Sequence, residues 1–352
     1  MSNNEMKTEG LFEMPFLKNA GLLMTYKCQV TCPHCIIEAG PHRHEEMSLE
    51  EAYNWIRQIS EYKNHYVKVL ALTGGEPFFN YANLKKITDF GNTCSFFISV
   101  ITNAYWAITK KEAKRILSDL KSVDMFSFST DVHHLKSIPF SRVRNAINAS
   151  RELNVPYTVS ICTENRSDPQ YEDLINKLYE ITEKESIVTA ITFRAGRAKN
   201  LVGSIDGISN DPPKAACSAG SSPIIFPDGK VLACIGPIID LVDPHPLDLG
   251  NCTENSLEEI FDKAELNPIL HAIRIWGPRK LISIITEAGL GEYLPKTYFK
   301  DSICNACYSL LSNRHIVDFL NDLSEDPGFK RKIAYARVYY LRESRMAEYY
   351  SY

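Results

Sequence analysis

Between residue 21 and about residue 194, short apolar runs alternate with amphipathic segments, and turn residues separate them. The runs at 22–25, 67–72, 95–102, 124–129, 157–163 and 187–194 have strand length. The stretches between them have helical periodicity. Ser48-Leu49-Glu50-Glu51 has the spacing of a capping box, and Ala52, Trp55, Ile56 and Ile59 then recur on one helical face. Thr109-Lys110-Lys111-Glu112 repeats the device before Ile116 and Leu120. Because each strand returns through a helix, the strands must be parallel with right-handed crossovers. The pattern predicts an α/β fold, a closed or partly closed barrel of six strands.

The rhythm stops between residues 200 and 216, where Gly203, Gly207, Asp211, Pro212 and Pro213 crowd a stretch poor in large apolar side chains. Beyond it, apolar runs at 223–226 and 230–233 flank Pro227-Asp228-Gly229, a β-hairpin signal. Residues 256–288, and the chain from 308 onward, have helical apolar faces. The expected organisation is an N-terminal extension (1–20), the barrel (21–200), a linker (201–216), a small cysteine-bearing domain with a hairpin and helices (217–312) and a C-terminal helical region (313–352).

The chain has 352 residues, 44% hydrophobic and 23% charged, which excludes a disordered or collagen-like protein. With 39 basic and 43 acidic side chains the net charge is −4, so no long-range field gathers nucleic acid or an anionic membrane. The first twenty residues lack a signal-peptide pattern and no apolar run is long enough to span a bilayer. A cytoplasmic location is expected, where the ten cysteines stay reduced.

Cys28, Cys32 and Cys35 follow the first strand as a C-x3-C-x2-C cluster. Soft thiolates suit zinc or an iron–sulfur cluster. Structural zinc wants four ligands, and His34, between Pro33 and Cys35, would have to turn back onto the same ion. A cubane held by three cysteines instead leaves one iron open. The second predicted strand ends in Thr73-Gly74-Gly75-Glu76-Pro77, at the edge where parallel sheets present function. The glycines admit close backbone approach, Glu76 offers a carboxylate to an ammonium group, and Pro77 fixes the exit.

Together these motifs resemble the radical S-adenosylmethionine (SAM) superfamily, whose cysteine signature is matched by Cys28, Cys32 and Cys35, and whose GGE motif is matched by Gly74, Gly75, Glu76 and Pro77. The resemblance implies a partial (β/α)6 TIM-like barrel and a 4Fe-4S cluster that binds SAM. It further implies one-electron cleavage to a 5′-deoxyadenosyl radical that takes hydrogen from substrate. Thr102 and Asn103 after the third strand, Ser127, Ser129 and Asp131 after the fourth, and Arg194 after the sixth resemble positions that touch the cofactor. The neighbouring His133 and His134 read either as a solvated loop or as substrate contacts.

Cys217, Cys234, Cys304 and Cys307, with PDGKVLAC at 227–234 and LGNCTENSLEEIF at 249–261, resemble the twitch form of the SPASM extension. That implies one auxiliary 4Fe-4S cluster, with structural zinc as the rival. Cys94, Cys162 and Cys252 remain and read as buried small hydrophobes, with Cys162 the candidate radical-quenching thiol. The order of elements resembles peptide-modifying members (RiPP maturases), particularly epipeptide epimerases. In those enzymes a hydrogen-donating cysteine follows the second auxiliary ligand, and here that place is Ile235.

The implied function is hydrogen abstraction from a ribosomal peptide, leading to crosslinking, thioether formation, oxidation or epimerisation. Two alternatives stand beside it: dehydrogenation of an aminosugar or other small molecule, and a non-catalytic metal-stabilised scaffold. Expected partners are the peptide, with any leader recognised by another surface or a separate protein, and a flavodoxin or ferredoxin electron donor. Leu281, Ile284, Ile285, Tyr339, Tyr340, Tyr349 and Tyr350 read as core rather than as a docking groove.

Overall fold

A computed structural model describes residues 16–201, 207–300 and 302–349. The N-terminal extension before Phe16, Gly203 of the linker and Tyr350 lie outside the described residues. Six parallel strands stand in sequential order: β1 (Asn19–Leu23), β2 (Val69–Thr73), β3 (Phe97–Thr102), β4 (Met125–Ser129), β5 (Tyr157–Thr163) and β6 (Ile187–Ile191). Five helices make the crossovers: α1 (Leu49–Glu61), α2 (Tyr81–Thr93), α3 (Lys110–Asp119), α4 (Phe140–Leu153) and α5 (Pro169–Tyr179). This is a partial (β/α)6 barrel. Leu22, Leu70, Leu72, Ile98, Val100, Phe126, Phe128 and Val159 are all fully buried, as expected of parallel strands covered on both faces.

The local signals act as the sequence implies. At α1, Ser48 Oγ accepts from Glu51 N–H while the Glu51 carboxylate accepts from Ser48 N–H, and Ala52, Trp55, Ile56 and Ile59 are the buried face. At α3 the described contacts include one half of that box, Thr109 Oγ1 accepting from Glu112 N–H at 3.1 Å. The sixth strand stops at Ile191, and Arg194 falls in the bend that follows.

A short strand β7 (Ile208–Ser209) follows, then the hairpin strands β8 (Ile224–Ile225) and β9 (Lys230–Leu232) and a third strand β10 (Asp248–Asn251). β8 pairs in parallel with β1, matching Gly21 to Ile224 and Leu22 to Ile225, so the hairpin continues the barrel's own sheet. The helices α6 (Leu257–Leu266), α7 (Pro268–Trp276) and α8 (Pro278–Glu287) come next. β11 (Tyr298–Phe299) then pairs with β7, followed by α9 (Ile303–Leu311), α10 (Arg314–Glu325) and α11 (Pro327–Leu341).

A buried ionic group ties the chain end to α6 and α7. Glu343 accepts from both Arg274 and Arg337, Arg337 also pairs with Glu265, and the Phe16 ring lies 4.6 Å from the Arg274 guanidinium. Among the described residues no helix is long and apolar enough to cross a membrane.

Candidate active site at the strand ends

The loop after β1 carries Cys28, Cys32 and Cys35 and is laced to its surroundings by backbone bonds. Met24 N–H donates to Thr73 O at 2.8 Å, Tyr26 N–H to Glu45 O at 2.9 Å and Cys28 N–H to Gly40 O at 3.2 Å. The end of β2 packs directly against it: Gly75 N–H donates to Thr25 O at 2.6 Å and Glu76 N–H to Lys27 O at 3.0 Å. Neither glycine can carry a side chain there. A Cβ would lie 2.6 Å from Thr25 O at Gly74, whose φ is +154°, and 2.3 Å from Lys27 O at Gly75.

The three cysteines line one cavity of about 1030 Å3, part of it open to solvent. The same wall holds Gly74 and Gly75 just after β2, Thr102 and Asn103 at the end of β3, Ser129 and Asp131 at the end of β4, Cys162 from β5 and Thr192 beyond β6. Ile235, next to Cys234, completes the wall from the hairpin side. Burial pushes the Cys28 and Cys162 thiols up to about 12.

Glu76 sits behind this wall, fully buried. Its carboxylate accepts from Thr102 Oγ1 at 2.8 Å, Asn103 N–H at 2.8 Å and Phe78 N–H at 3.0 Å. The Thr102 oxygen already accepts from Ala104 N–H and Trp106 Nε1–H, so its own hydrogen goes to Glu76. Burial raises the Glu76 carboxyl to about 7, against the pull of these donors. Glu76 therefore joins the ends of β2 and β3 where the sequence suggests a carboxylate offered outward. Pro77 is buried as the first residue of a short 3-10 helix. Asn103 points its amide at Cys28, with Nδ2 3.8 Å from Sγ.

Asp131 gathers histidines. One oxygen accepts from His34 Nε2 at 3.0 Å and pairs with His134 Nδ1 at 2.7 Å, while the other accepts the N–H groups of His133 and His134. Burial pushes the Asp131 carboxyl up, but the His134 and His34 imidazoles outweigh it and hold it well below the usual carboxylate range. Burial pulls His134 down, and the Asp131 carboxylate outweighs that, raising it to about 10. His133 pairs with Glu164 at 2.9 Å and stacks on His34, with ring centroids 4.8 Å apart. The histidine doublet is thus half-buried and structured, not a solvated loop. The ligand atoms of His34, Asp131 and His134 lie within 4.8 Å of one another.

Arg194 is placed elsewhere: it is exposed, with its guanidinium 5.2 Å from the Phe299 ring, and does not line the cavity. Arg197, which the sequence reading passed over, does line it. The glycine before Arg197 is the one local signal that could have drawn attention there.

A second pocket, of about 440 Å3, brings together Cys217, Cys234, Cys304 and Cys307 among Ala233, Ile238, Leu247, Leu270 and Ile273. Burial raises Cys304 to about 11 and pushes Cys234 and Cys307 up as well. Four thiols facing each other in an apolar pocket are a donor set for a group that takes thiolates, a closed iron–sulfur cluster or zinc. Three thiols beside an open cavity walled by bare glycine backbone fit a cluster with one iron left for a further ligand. Cys94 and Cys252 join neither group.

Comparison with known proteins bears on both sites. Residues 22–178 match the model of the Radical SAM superfamily. YydG of Bacillus subtilis, named as a peptide biosynthesis protein, is 22% identical and aligns over 86% of this chain and 94% of its own. AlbA of the same organism, the antilisterial bacteriocin subtilosin biosynthesis protein, is 22% identical over 89% of this chain and 72% of its own. SkfB, its sporulation killing factor maturation protein, is 24% identical over 58% and 50% respectively. The matched segment holds the cysteine loop and the ends of β2, β3, β4 and β5, so the similarity to the Radical SAM superfamily falls on the barrel.

Proposed function

We propose that this chain is a radical SAM enzyme that abstracts a hydrogen from a ribosomally made peptide and so matures it. The observation that carries the reading is the convergence of Cys28, Cys32 and Cys35 on a cavity that holds one further thiol among the described residues, Cys162. The peptide substrate is supported by the names of YydG, a peptide biosynthesis protein, AlbA, a bacteriocin biosynthesis protein, and SkfB, a killing factor maturation protein.

Cys28, Cys32 and Cys35 would hold the 4Fe-4S cluster, and Thr102, Asn103, Ser129 and Asp131, at neighbouring strand ends, would face SAM. When bound, the pair supplies one-electron bond cleavage and a carbon radical able to take hydrogen from an unactivated C–H, chemistry beyond any side chain. The protein's part is placement. Gly74 and Gly75 expose backbone rather than side chain, and Glu76 fixes Thr102 and Asn103 relative to that backbone. Cys217, Cys234, Cys304 and Cys307 would hold the auxiliary 4Fe-4S cluster. Flavodoxin or ferredoxin in the cytoplasm would supply electrons.

Cys162 is the candidate hydrogen donor. Its thiol, raised to about 12 by burial, keeps its proton at neutral pH, the form that hydrogen-atom transfer requires. Its S–H bond would break homolytically as a C–H bond forms on the substrate. One electron and one proton, the electron from the reduced flavodoxin or ferredoxin, would restore the thiol.

The test is anaerobic reconstitution of the full chain, followed by incubation with SAM, reductant and a peptide encoded in a neighbouring reading frame, in D2O. About eight irons per chain are expected, about four after Cys28, Cys32 and Cys35 are all changed to Ala, with 5′-deoxyadenosine formation abolished in that variant. A peptide that gains one deuterium, and loses that gain in Cys162→Ala, supports hydrogen return. A peptide lighter by two hydrogens supports oxidation, and removes Cys162 from the reaction. Colourless protein holding only zinc would sink the assignment.

A further inference from the structure

The segment after the sixth strand touches both thiol sites. Gly196 approaches the first cysteine loop so closely that a Cβ would lie 2.4 Å from Ile36 O and 2.7 Å from Cys35 O, and its φ of +54° suits glycine. Arg197 then holds the loop by three carbonyl groups. Its N–H donates to Cys35 O at 3.2 Å, its Nε to Cys32 O at 2.9 Å and its Nη2 to Ala39 O at 2.6 Å. Two of the loop's three cysteines thus have their carbonyl oxygens fixed by one residue, whose side chain also lines the cavity.

The other side of the segment is tied to the second site. Gly196 N–H donates to Asp240 Oδ2 at 2.7 Å, and Lys199 Nζ lies 3.0 Å from the same oxygen. Asp240 ends the short helical turn Pro237–Asp240, whose Pro237 and Ile238 line the four-thiol pocket just beyond Cys234. The Asp240 side chain is 13% exposed, so this anchor is largely shielded from water. A continuous path of bonds therefore runs from Cys32 and Cys35 through Arg197 and Gly196 to Asp240, and on to Cys234.

We propose that Arg197 is a positioning residue that sets the backbone of the SAM-binding cysteine loop, and that Asp240 sets Arg197, so that the first cluster site is held in place from the second. The inference rests on the assignment of the two cysteine sets made above. Arg suits the task because its rigid planar fork holds two carbonyl groups in fixed directions, whereas a lysine presents one ammonium on a flexible stem. A cation beside an iron–sulfur cluster also favours the reduced cluster, and hydrogen bonding around the cluster tunes its potential.

Electron paramagnetic resonance and redox titration of the reconstituted full chain, with and without SAM, test this. The signal that responds to SAM reports the three-cysteine site. Arg197→Ala should move its midpoint potential to more negative values and diminish its SAM-induced change. Arg197→Lys should retain most of the potential but not the SAM-dependent line shape. Asp240→Ala, which touches no cysteine of the first loop, should alter that line shape too, and Asp240→Asn, which keeps an acceptor for Gly196 N–H, should stay near wild type.

An unchanged SAM-responsive signal in either Arg197→Ala or Asp240→Ala, at full iron content, would overturn the coupling. Where Arg197→Ala fails to fold or to take up iron, Arg197→Lys and Asp240→Ala decide by the same criterion. A wild-type protein with no SAM-responsive signal would instead overturn the assignment of the first site, and the coupling with it.

Discussion

Gly75→Ala adds one methyl group at the point where β2 meets the cysteine loop. That Cβ would stand 2.3 Å from Lys27 O, 2.7 Å from Lys27 C and 2.9 Å from Tyr26 O, all of them backbone atoms that no rotamer change can move aside. Ordinary contact begins at 3.4 Å, so the loop and the strand end must part by about 3.4 − 2.3 ≈ 1 Å. Two buried backbone bonds span that gap, Gly75 N–H to Thr25 O at 2.6 Å and Glu76 N–H to Lys27 O at 3.0 Å. Losing both costs about 2–6 kcal/mol, from about 1–3 kcal/mol for each donor left unpaired. Cys28 is the next residue after Lys27, so the displacement falls on the first thiol. Iron per chain after anaerobic reconstitution is the assay. The variant should fall from about eight irons to about four, the four-thiol pocket being untouched. Gly291→Ala, where the nearest neighbour is Thr286 Cγ2 at 3.9 Å, is the control and should keep its iron. A Gly75→Ala protein with full iron and wild-type cofactor cleavage would refute the claim that this contact places Cys28.

Three further outcomes follow from buried polar groups. Glu76→Ala leaves Phe78 N–H, Asn103 N–H and the Thr102 hydroxyl without their acceptor; the loss should be about 3 kcal/mol or more by urea denaturation, and a change below about 1 kcal/mol would contradict the packing described. Glu343→Ala strips the acceptor shared by Arg274 and Arg337. It should cost about 3–5 kcal/mol in the same measurement, because a buried guanidinium then lacks its counter-charge, and an unchanged midpoint would refute this. For the Asp131–His134 pair, a raised histidine stabilises fully below its unfolded value of 6.5 and loses that contribution as pH rises through about 10, whereas the depressed Asp131 loses its contribution as pH falls below 3.8. Apoprotein stability should therefore decline from about pH 6.5 toward pH 10, and Asp131→Asn should flatten that decline; equal slopes in the two proteins would count against the pair.

Much of the barrel was legible because its signals are local. The predicted and observed starts of all six strands agree to within three residues, and the Ser48–Glu51 box opens α1 as its spacing implies. The cysteine loop was legible for the same reason, since Cys28, Cys32 and Cys35 fall within eight consecutive positions. What the sequence could not show was pairing over long separations. His34 and Asp131 meet only because the first and fourth strands end at one edge, so the histidine doublet beside Asp131 looked like a solvated turn. The sixth strand was read three residues too long because Thr192, Phe193 and Arg194 continue an extended-looking run. The ladder with β5 ends at Ile191, after which the chain turns and Arg197, not Arg194, lines the cavity.

The hairpin presents the same difficulty on a larger scale, and its placement explains how two separate thiol sites come to share a wall. β8 adds to β1 through only two residue pairs, yet Gly21 N–H donates to Pro223 O at 2.8 Å in line with them. β9 runs back antiparallel to β8, matching Leu232 to Ile224, and Cys234 and Ile235 lie in the bend that follows it. Ile235 is 42% exposed and lines the cavity, while Cys234, one residue earlier, lines the four-thiol pocket. One short bend thus serves both sites. The two sites therefore share a wall through the bend after β9, and the bond from Gly196 N–H to Asp240 ties the segment after β6 to the helical turn that follows that bend.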